Sequence, residues 1–457
     1  MKKSTIIQIV IIIALIIILS LLVKFTINAI NENSVPQMVE QNGNNGQGGS
    51  MPSPTSGNSS SVQYTGVTQI TEDTTINSGE YSSETADENA LLASGDIDAE
   101  ISNIKVNKTG DSDGGDTTSF YGINSGILAK SGANLTLKNI TVTTDATGAN
   151  GVFSYGGSAT TSNSSSDGTK INISDSTITT KKDNSGGIMA TGGGIMNASN
   201  LTVNTAGTSS AAIRTDRGGG TVTVDGGTYT TTGQGSPTIY STADVTVKNS
   251  KLIATASEGI IIEGKNSVTI SNCDLTDSNT KLNGLSTSYK NIFLYQSMSG
   301  DADTGNSEFT ATNSTITTNN GDSFYVTNTS SIINLTNNTI INNSAEGNFL
   351  RAKADAWGNE GSNGGDVTLT LNNQKAIGNI VIDSVSKLNM SIEANSYYEG
   401  TMNGDNTAKN ITLKLDGTSS IKLTGNSYVT SLETDDTTYS NIDFNGYKLY
   451  VNGVAIN

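Results

Sequence analysis

The feature that most constrains the fold is a short motif that recurs every 23 residues in the middle of the sequence. Its clearest copies are residues 221–224, 244–247 and 267–270, in which β-branched apolar residues alternate with polar ones. This alternation is typical of a β-strand with one buried face. Two positions after each copy stands a residue that tolerates the positive φ of a sharp bend, and a second apolar residue follows three positions later. The bend residues are Gly226, Asn249 and Asn272, and the second apolar residues are Tyr229, Leu252 and Leu275.

The same frame extends over much of the chain. A period in the low twenties, built from short strands, is typical of a solenoid whose coils bury their inward side chains against neighbouring coils. Thr, Asn and Gly at outward positions disfavour helices. The sequence therefore predicts an all-β fold, a single-stranded parallel and right-handed β-helix over residues 63–457, with roughly 15 coils. Further copies of the frame are Ile101-Asn103-Val106, Leu137-Asn139-Val142, Ile173-Asp175-Ile178, Ala311-Asn313-Ile316, Leu335-Asn337-Ile340 and, more loosely, Leu371-Asn373-Ala376.

The bend asparagines predict a structural ladder. Identical side chains at the same position of successive coils can hydrogen-bond from coil to coil. We expect such bonds at Asn139, Asn249, Asn272, Asn313 and Asn337.

The N-terminus predicts a membrane anchor. Residues 6–23 form an apolar run of 18 residues behind Lys2 and Lys3, and a helix of that length spans about 27 Å, enough to cross a bilayer core. The positive-inside rule keeps residues 1–5 in the cytoplasm and places the body outside the cell. A cleaved signal peptide is the alternative, although its apolar region is normally shorter. Residues 24–62, rich in Asn, Gly, Ser and Pro, predict a flexible linker.

Composition excludes several functional classes. With a net charge of −17 and three arginines, the chain lacks the basic stripe that nucleic acid requires, and only residues 6–23 should contact the membrane. The absence of histidine excludes Ser-His-Asp and Cys-His catalysis. Because Cys273 is the only cysteine, no intramolecular disulfide can form, and we expect a packed, unreactive thiol.

Departures from the 23-residue period predict long loops. The interval grows to 36 residues before Leu137 and again before Ile173, to 41 before Ala311 and to 36 before Leu371. We expect these insertions to leave the rod at a similar edge and to form a binding surface there. Two of them combine carboxylates with glycine and could bind calcium, the one cofactor we consider, with solvated acidic turns as the alternative. The candidate ligands are Asp111, Asp113 and Asp116 in the first insertion and Asp301 and Asp303 in the third.

Two segments supply candidates for ligand binding. Trp357, the only tryptophan, lies in the glycine-rich fourth insertion, where it could stack on a sugar ring or fold back over the coil beneath. Arg351 enters the same loop, and we expect it to pair with Asp355. The other segment predicts a local ion pair at a turn and contains Arg214, Asp216 and Arg217.

Three segments carry a resemblance to a known family. They are GSPTIYSTADVTV at residues 235–247, EGIIIEGKNSVTISNC at 258–273 and LYQSMSGDADTG at 294–305. Over most of residues 65–457 the chain resembles the adhesin-like or carbohydrate-binding-like surface β-helix proteins of anaerobic Gram-positive bacteria. The architecture is similar, more distantly, to that of pectate lyases and polygalacturonases. That likeness implies a catalytic histidine in the hydrolases, which this sequence lacks, or an arginine beside a calcium cluster in the lyases.

Together these observations predict an extracellular β-helix on a single-pass anchor in the cell membrane. We expect no enzymatic activity and expect the long loops to bind a glycan or a surface protein. A structural stalk or wall-spacing element without a ligand is the alternative. A polysaccharide lyase or hydrolase is a third possibility, although Arg214 and Arg217 lie far in sequence from the acidic insertions.

Overall fold

The computed structural model describes residues 62–157 and 166–457. Residues 58–457 form one compact unit. The predicted cytoplasmic segment, the anchor at 6–23 and nearly all of the linker lie outside the described residues. Within the described residues, no helix combines the length and the apolar character needed to cross a membrane.

The chain is built from parallel strands stacked coil on coil. One sheet of twelve strands, here called sheet A, occupies one side of the β-helix. Its strands are Thr65–Ile70, Glu88–Ser94, Ile127–Lys130, Val152–Tyr155, Ile188–Thr191, Ile213–Thr215, Ile239–Ser241, Ile260–Glu263, Lys290–Tyr295, Asp322–Thr327, Leu350–Ala352 and Ile380–Ile382.

A second sheet, sheet B, has 22 strands in two adjacent rows. The strands Gly194–Thr205 and Gly220–Thr231 are long enough to run through both rows. Row 1 also contains Thr74–Ile76, Asp98–Ser102, Asn134–Lys138, Lys170–Ser174, Asp244–Lys248, Ser267–Ser271, Asn306–Thr312, Thr329–Thr336, Gly365–Asn372, Lys387–Glu393, Asn410–Leu415 and Ser431–Thr434. Row 2 also contains Gly79–Ser83, Ile104–Lys108, Thr141–Thr144, Thr177–Thr180, Lys251–Ala254, Asp274–Asp277, Thr315–Thr318 and Thr339–Asn342.

Two small sheets complete the C-terminal coils. A four-stranded sheet follows row 2 and contains Lys375–Ile377, Tyr397–Gly400, Ser420–Leu423 and Ile442–Asp443. A three-stranded sheet contains Ser427–Val429, Leu449–Val451 and Val454–Ala455, of which the last strand runs antiparallel to its neighbour. The described residues include one α-helix, Asp116–Tyr121.

The inward side chains of these rows fill one continuous apolar core. Each coil contributes only a few residues, which are covered by the equivalent residues of the coils above and below. In sheet A the fully buried stack includes Ile127, Val152, Ile188, Ile213, Ile239, Ile260 and Ile292. The predicted parallel β-helix is therefore confirmed.

The bend between rows 1 and 2 has the predicted backbone conformation. Gly226, Asn249 and Asn272 have φ values of 77°, 53° and 53°. The amide ladder is also present, because bend asparagines donate through Nδ2 to Oδ1 of the asparagine one coil away. These bonds join Asn139 to Asn103, Asn272 to Asn249 and Asn337 to Asn313 at 2.7, 3.2 and 2.7 Å.

Cys273, next to this ladder, is packed as predicted. Its side chain is buried, and its thiol donates to the backbone oxygens of Val247 and Ser271 at 3.4 Å. Burial raises the pKa of the thiol, which favours the unreactive protonated form.

One coil does not match the 23-residue repeat that the sequence shows. The strand Gly194–Thr205 places Ala198 beside Ile173 on one side and Val224 on the other, at intervals of 25 and 26 residues. Asn200 makes its bend, with φ of 52°. The coil lacks the alternation of β-branched residues because Ala198 fills the inward position, so a frame with a 23-residue period passes over it.

The long insertions leave the β-helix on both sides of sheet A, so the prediction of a shared edge is wrong. Residues 109–126 and 278–289 connect row 2 to sheet A, whereas 296–305 and 353–364 connect sheet A to row 1. Residues 158–165 of the second predicted insertion lie outside the described residues. The longest predicted insertion is divided between the two sides. A frame built on rows 1 and 2 cannot locate sheet A within the remainder of each coil. These four described loops border sheet A.

Candidate functional site

The outward side chains of sheet A form a row that runs along the sheet. We call this set the outer row. Adjacent strands lie about 4.8 Å apart, so Arg214 and Arg351, five strands apart, are separated by roughly 24 Å. In register order the outer row is Leu92, Leu128, Phe153, Met189, Arg214, Tyr240, Ile261, Phe293, Tyr325, Arg351 and Val381.

The helix Asp116–Tyr121 and the glycine after it cover the N-terminal part of the outer row. A Cβ on Gly122 would lie 2.7 Å from the ring of Phe153, so the chain passes directly over this side chain. Tyr121 meets the ring of Tyr155 edge-on, with centroids 5.6 Å apart. The cluster comprises Leu92, Leu128, Phe153, Tyr155 and Met189, with Tyr64 and Tyr121 packed against it.

Trp357 covers the C-terminal part of the outer row. Its ring centroid lies 5.3 Å from the ring centroid of Phe293 and 5.3 Å from that of Tyr295. The side chain is half-buried, so the fold-back alternative is observed and part of the indole remains exposed. A partly exposed indole is a side chain on which a sugar ring can stack.

A group of polar residues, here called the polar segment, separates the aromatic cluster beneath the helix from the aromatic rings around Trp357. It contains Arg214, Asp216, Arg217, Glu263 and Asp301. The Arg214 guanidinium donates to Asp216 at 2.8 Å, which confirms the predicted local pair. Burial raises the pKa of Asp216 to about 6; the Arg214 charge opposes the shift and the Asp301 carboxylate adds to it. Arg217 pairs with Asp301 at 2.8 Å, although 84 residues separate them, and its guanidinium lies 4.3 Å from the ring centroid of Phe120. Three segments distant in sequence thus meet at Arg217.

A buried carboxylate, Glu263, orders the hydroxyl groups beside this segment. Tyr240 and Tyr295 donate to its Oε2 at 2.5 and 3.0 Å, and Ser297 donates to Oε1. The Ser299 hydroxyl lies 2.8 Å from that of Ser297 and 3.0 Å from Asp301 Oδ2, and its single proton can be donated to one of them. The hydrogen bonds to Glu263 hold the side chains of Tyr240, Tyr295 and Ser297 in fixed positions.

A polar groove of about 170 Å³ opens beside the Arg217–Asp301 pair. Its walls include Gly218–Gly220, Asp244, Lys265 and Asp303. Three carboxylates, those of Asp244, Asp301 and Asp303, face two cations, Lys265 and the Arg217 that pairs with Asp301. The groove therefore has a small excess of negative charge and favours neutral or cationic groups over anions. A second groove, of about 220 Å³, lies over Val381 at the end of the outer row.

Arg351 pairs with Asp322, so the predicted pair with Asp355 is wrong. The Nε to Oδ2 distance is 2.6 Å, and Asp322 lies on the preceding strand of sheet A. Asp355 instead accepts hydrogen bonds from Thr287 at 3.0 Å and from Tyr325. Proximity in sequence gave the wrong partner because stacking of coils places Asp322 beside Arg351. The Thr287–Asp355 bonds also join loops 278–289 and 353–364.

The acidic insertions each meet a basic residue from elsewhere in the chain. Asp111 lies 2.9 Å from the Lys182 Nζ, and the Thr147 N–H and Lys182 lower the pKa of its carboxyl. The Asp301 carboxylate is paired with the Arg217 guanidinium. Within residues 62–157 and 166–457, no group of three or more Asp, Glu, Cys or His side chains is placed to hold a metal ion. Calcium binding by Asp111, Asp113, Asp116, Asp301 and Asp303 stays a prediction.

Sequence reasoning did not single out Tyr240, Glu263 and Tyr295. All three belong to sheet A, for which the frame of rows 1 and 2 gives no reference position. The apolar run Ile260–Ile262 was a usable signal, because a short apolar run after a turn predicts a buried strand and would have placed Glu263 at its end.

Comparison with known proteins supports the fold. A family model described as a right-handed β-helix region matches residues 238–359. This segment contains Glu263, Asp301, Arg351 and Trp357, and it ends before the C-terminal coils. The match agrees with the parallel sheets and with the predicted hand. No curated protein matches the chain.

Proposed function

We propose that the chain is a cell-surface binding module, anchored in the membrane through residues 6–23, that binds a glycan on the outer face of sheet A. The observation that carries the proposal is the convergence of four described loops, from both sides of sheet A, around the outer row. Loops held on a rigid scaffold are common positions for binding residues. The anchor, the extracellular location and the resemblance to adhesin-like proteins are parts of the same proposal.

The chemistry of the face suits a neutral or cationic glycan. The partly exposed side chain of Trp357 offers an apolar surface to a sugar ring, and Arg214 and Asp301 are fixed polar groups farther along the same face. The net charge of −17 and the acidic groove disfavour polyanions.

The acidic side chains of this face are already held in ion pairs or hydrogen bonds, which fits a protein that binds a glycan without cleaving it. Asp216 is paired with Arg214, Asp301 with Arg217, and the Glu263 carboxylate accepts hydrogen bonds from three hydroxyl groups. A general acid or base must be able to exchange a proton with substrate, which these bonds oppose.

A polysaccharide lyase is the second candidate. The favouring observation is the meeting of Arg217 with the acidic loop that carries Asp301, two groups that lie far apart in sequence. If Arg217 abstracted the substrate proton, or stabilised the negative charge that develops on the substrate during elimination, cleavage should be lost in Arg217→Ala.

A binding and cleavage screen tests both candidates. Purified residues 58–457 are applied to a glycan array and incubated with plant and bacterial-wall polysaccharides, once with calcium and once with a chelator. We expect selective binding to neutral or amino-sugar glycans without cleavage, lost in Trp357→Ala. Lys414→Ala serves as the control, because Lys414 is an exposed residue of row 1 paired with Glu433.

The possible results distinguish a polysaccharide lyase, a binding module and a structural stalk. Release of unsaturated oligosaccharides, abolished in Arg217→Ala, would establish the lyase. Absence of binding and of cleavage under all conditions would contradict the binding module and favour the structural stalk.

A further inference from the structure

A buried lysine and a buried glutamate meet at the edge of sheet A. Lys290 and Glu258 have side-chain exposures of 0 % and 2 %, and their Nζ and Oε1 atoms are 4.0 Å apart. This separation is longer than a hydrogen bond. The other buried pairs on the same face close fully, at 2.8 Å for Arg214–Asp216 and 2.6 Å for Arg351–Asp322.

Burial acts against the charged form of Lys290, whereas the groups around its nitrogen suit an ammonium. Nζ lies 4.5 Å from the ring centroid of Phe293 and 4.7 Å from that of Tyr325. It donates to the Ser286 Oγ and the Ser288 backbone oxygen at 3.1 and 2.9 Å, which are neutral acceptors. Burial lowers the pKa of Lys290, and the carboxylate of Glu258 opposes that shift. A neutral amine is a nucleophile, whereas an ammonium is not.

A third buried acid completes the cluster. Asp277 accepts the Asn279 N–H through Oδ1 at 2.9 Å, while its buried Oδ2 has no hydrogen-bond partner among the described residues. Burial raises the pKa of Asp277 to about 9, and the nearby charge of Glu258 adds to the shift. Both effects favour the protonated acid, whose free oxygen can donate a proton.

We propose that the side chains of Lys290 and Glu258 join covalently, as an amide between Nζ and Cδ, with Asp277 as the acid that assists the reaction. A proton first passes from the Lys290 ammonium to the Glu258 carboxylate, which leaves a neutral amine beside a carboxylic acid. The amine then attacks Cδ of Glu258, and a C–N bond forms. One carboxyl oxygen of Glu258, protonated with the help of Asp277, leaves as water. The nitrogen gives up one proton, which restores Asp277. A carboxylic acid and a primary amine thus become a secondary amide and water, so no oxidant, reductant or cofactor is consumed.

Burial supplies the driving force. Two opposite charges held in an apolar site at 4.0 Å lose their hydration without gaining a hydrogen bond to each other. An amide in the same place is neutral and needs only ordinary hydrogen bonds. The reaction also expels water from an aromatic pocket. The same chemistry is unfavourable in water, so exposed Lys–Asp pairs should remain ion pairs.

The amide would fasten neighbouring coils to each other. Glu258 precedes the sheet A strand Ile260–Glu263, and Lys290 begins the paired strand Lys290–Tyr295. Loop 278–289 ends at Lys290, so the covalent bond would fix one end of the loop that contacts Asp355.

Mass spectrometry of the full chain, purified in detergent, tests the proposal. We expect an intact mass lower than the sequence mass by one water molecule. Trypsin should fail to cleave after Lys290, and residues 252–265 should remain attached to the segment that contains it. The pair Lys387–Asp366 is the internal control, because its atoms are closer, at 3.1 Å, but each side chain is 43 % exposed. Trypsin should cleave normally after Lys387.

Variants separate the parts of the proposal. Lys290→Arg and Asp277→Asn should both give the full sequence mass, and circular dichroism would confirm that the β-helix has formed. A wild-type chain with full mass and normal cleavage after Lys290, after overnight incubation at neutral pH, would overturn the amide. An amide that still forms in folded Asp277→Asn would overturn the role of Asp277.

Discussion

At the scale of single residues, the bend asparagines combine two contributions. Each accepts a positive φ at low cost, and several of them, such as Asn139, Asn272 and Asn337, also donate an amide hydrogen bond to the coil one step away. Gly226 keeps the backbone conformation but interrupts the ladder, and Asn249 donates instead to Asp225 at 2.7 Å. The two contributions can therefore be separated at Gly226.

Gly226→Asn should stabilise the β-helix. A Cβ at this position meets nothing closer than 3.8 Å, and asparagine tolerates the φ of 77°. We expect a gain of about 0.5–1 kcal/mol in the free energy of unfolding, from a less flexible unfolded chain and a restored amide bond. Gly227→Asn is the matched control, since its Cβ would lie 2.3 Å from the Leu201 backbone oxygen. Chemical denaturation measures both, and equal effects at the two sites would contradict this account of the ladder.

Asp216 should make stability depend on pH in the mildly acidic range. Its pKa is raised from 3.8 to about 6 in the folded chain, so the folded state holds a proton that the unfolded state has released. Stability should therefore fall as pH rises from 4 to 6 and level off above 6, by at most about 3 kcal/mol. Asp216→Asn resembles the protonated acid and should remove this fall. The free energies of unfolding of both proteins, measured from pH 4 to 7, should differ by an amount that changes with pH; a constant difference would refute the assignment.

At the scale of elements, the sequence predicted the strands better than it predicted the loops. Rows 1 and 2 could be found because β-branched residues and bend asparagines repeat at fixed offsets, as at Val224, Asn249 and Ile270. Sheet A carries no such bend signal, so its position in each coil, and with it the side from which each loop leaves, could not be predicted.

Within the candidate site, side-chain pairs could be predicted only where the two residues lie close together in the sequence. The local pair of Arg214 and Asp216 could be read from two nearby positions, whereas the pair of Arg217 and Asp301 depends on how the intervening coils stack. The helix Asp116–Tyr121 was also missed, because its threonines and aromatic residues have weak helix propensity and the packing against the outer row stabilises it.

Loop 353–364 should lose its position when its aromatic contact is removed. Trp357 packs on Phe293 and Tyr295, so Trp357→Ala would leave the loop attached mainly through Asp355 and Asn363. We expect faster amide hydrogen exchange in this loop and weaker glycan binding, with little change in global stability. Trp357→Phe keeps an apolar ring and is the control. Unchanged exchange in Trp357→Ala would contradict a packing role.

At the scale of the whole molecule, a solenoid gains its stability from contacts between adjacent coils. Damage in one coil should therefore spread only to its neighbours. Ile421 is buried in the C-terminal coils, far along the β-helix from the strand Ile260–Glu263.

Ile421→Ala should destabilise the C-terminal coils locally. The cavity should cost about 2–4 kcal/mol. Hydrogen exchange should accelerate in Tyr397–Gly400 and Ser420–Leu423 and remain unchanged in Ile260–Glu263, with glycan binding retained. Uniform acceleration along the chain would show instead that the β-helix unfolds as one unit.

The most direct test of binding on sheet A uses Trp357 itself, because it is the only tryptophan and its partly exposed side chain borders the outer row. Glycans selected on the array are titrated into residues 58–457 while tryptophan emission is recorded. The account predicts a saturable change in emission, at the same concentrations as binding measured by calorimetry, that is weakened in Arg214→Ala and retained in Lys414→Ala. A glycan that binds with full affinity while the emission of Trp357 stays constant would contradict the proposed site.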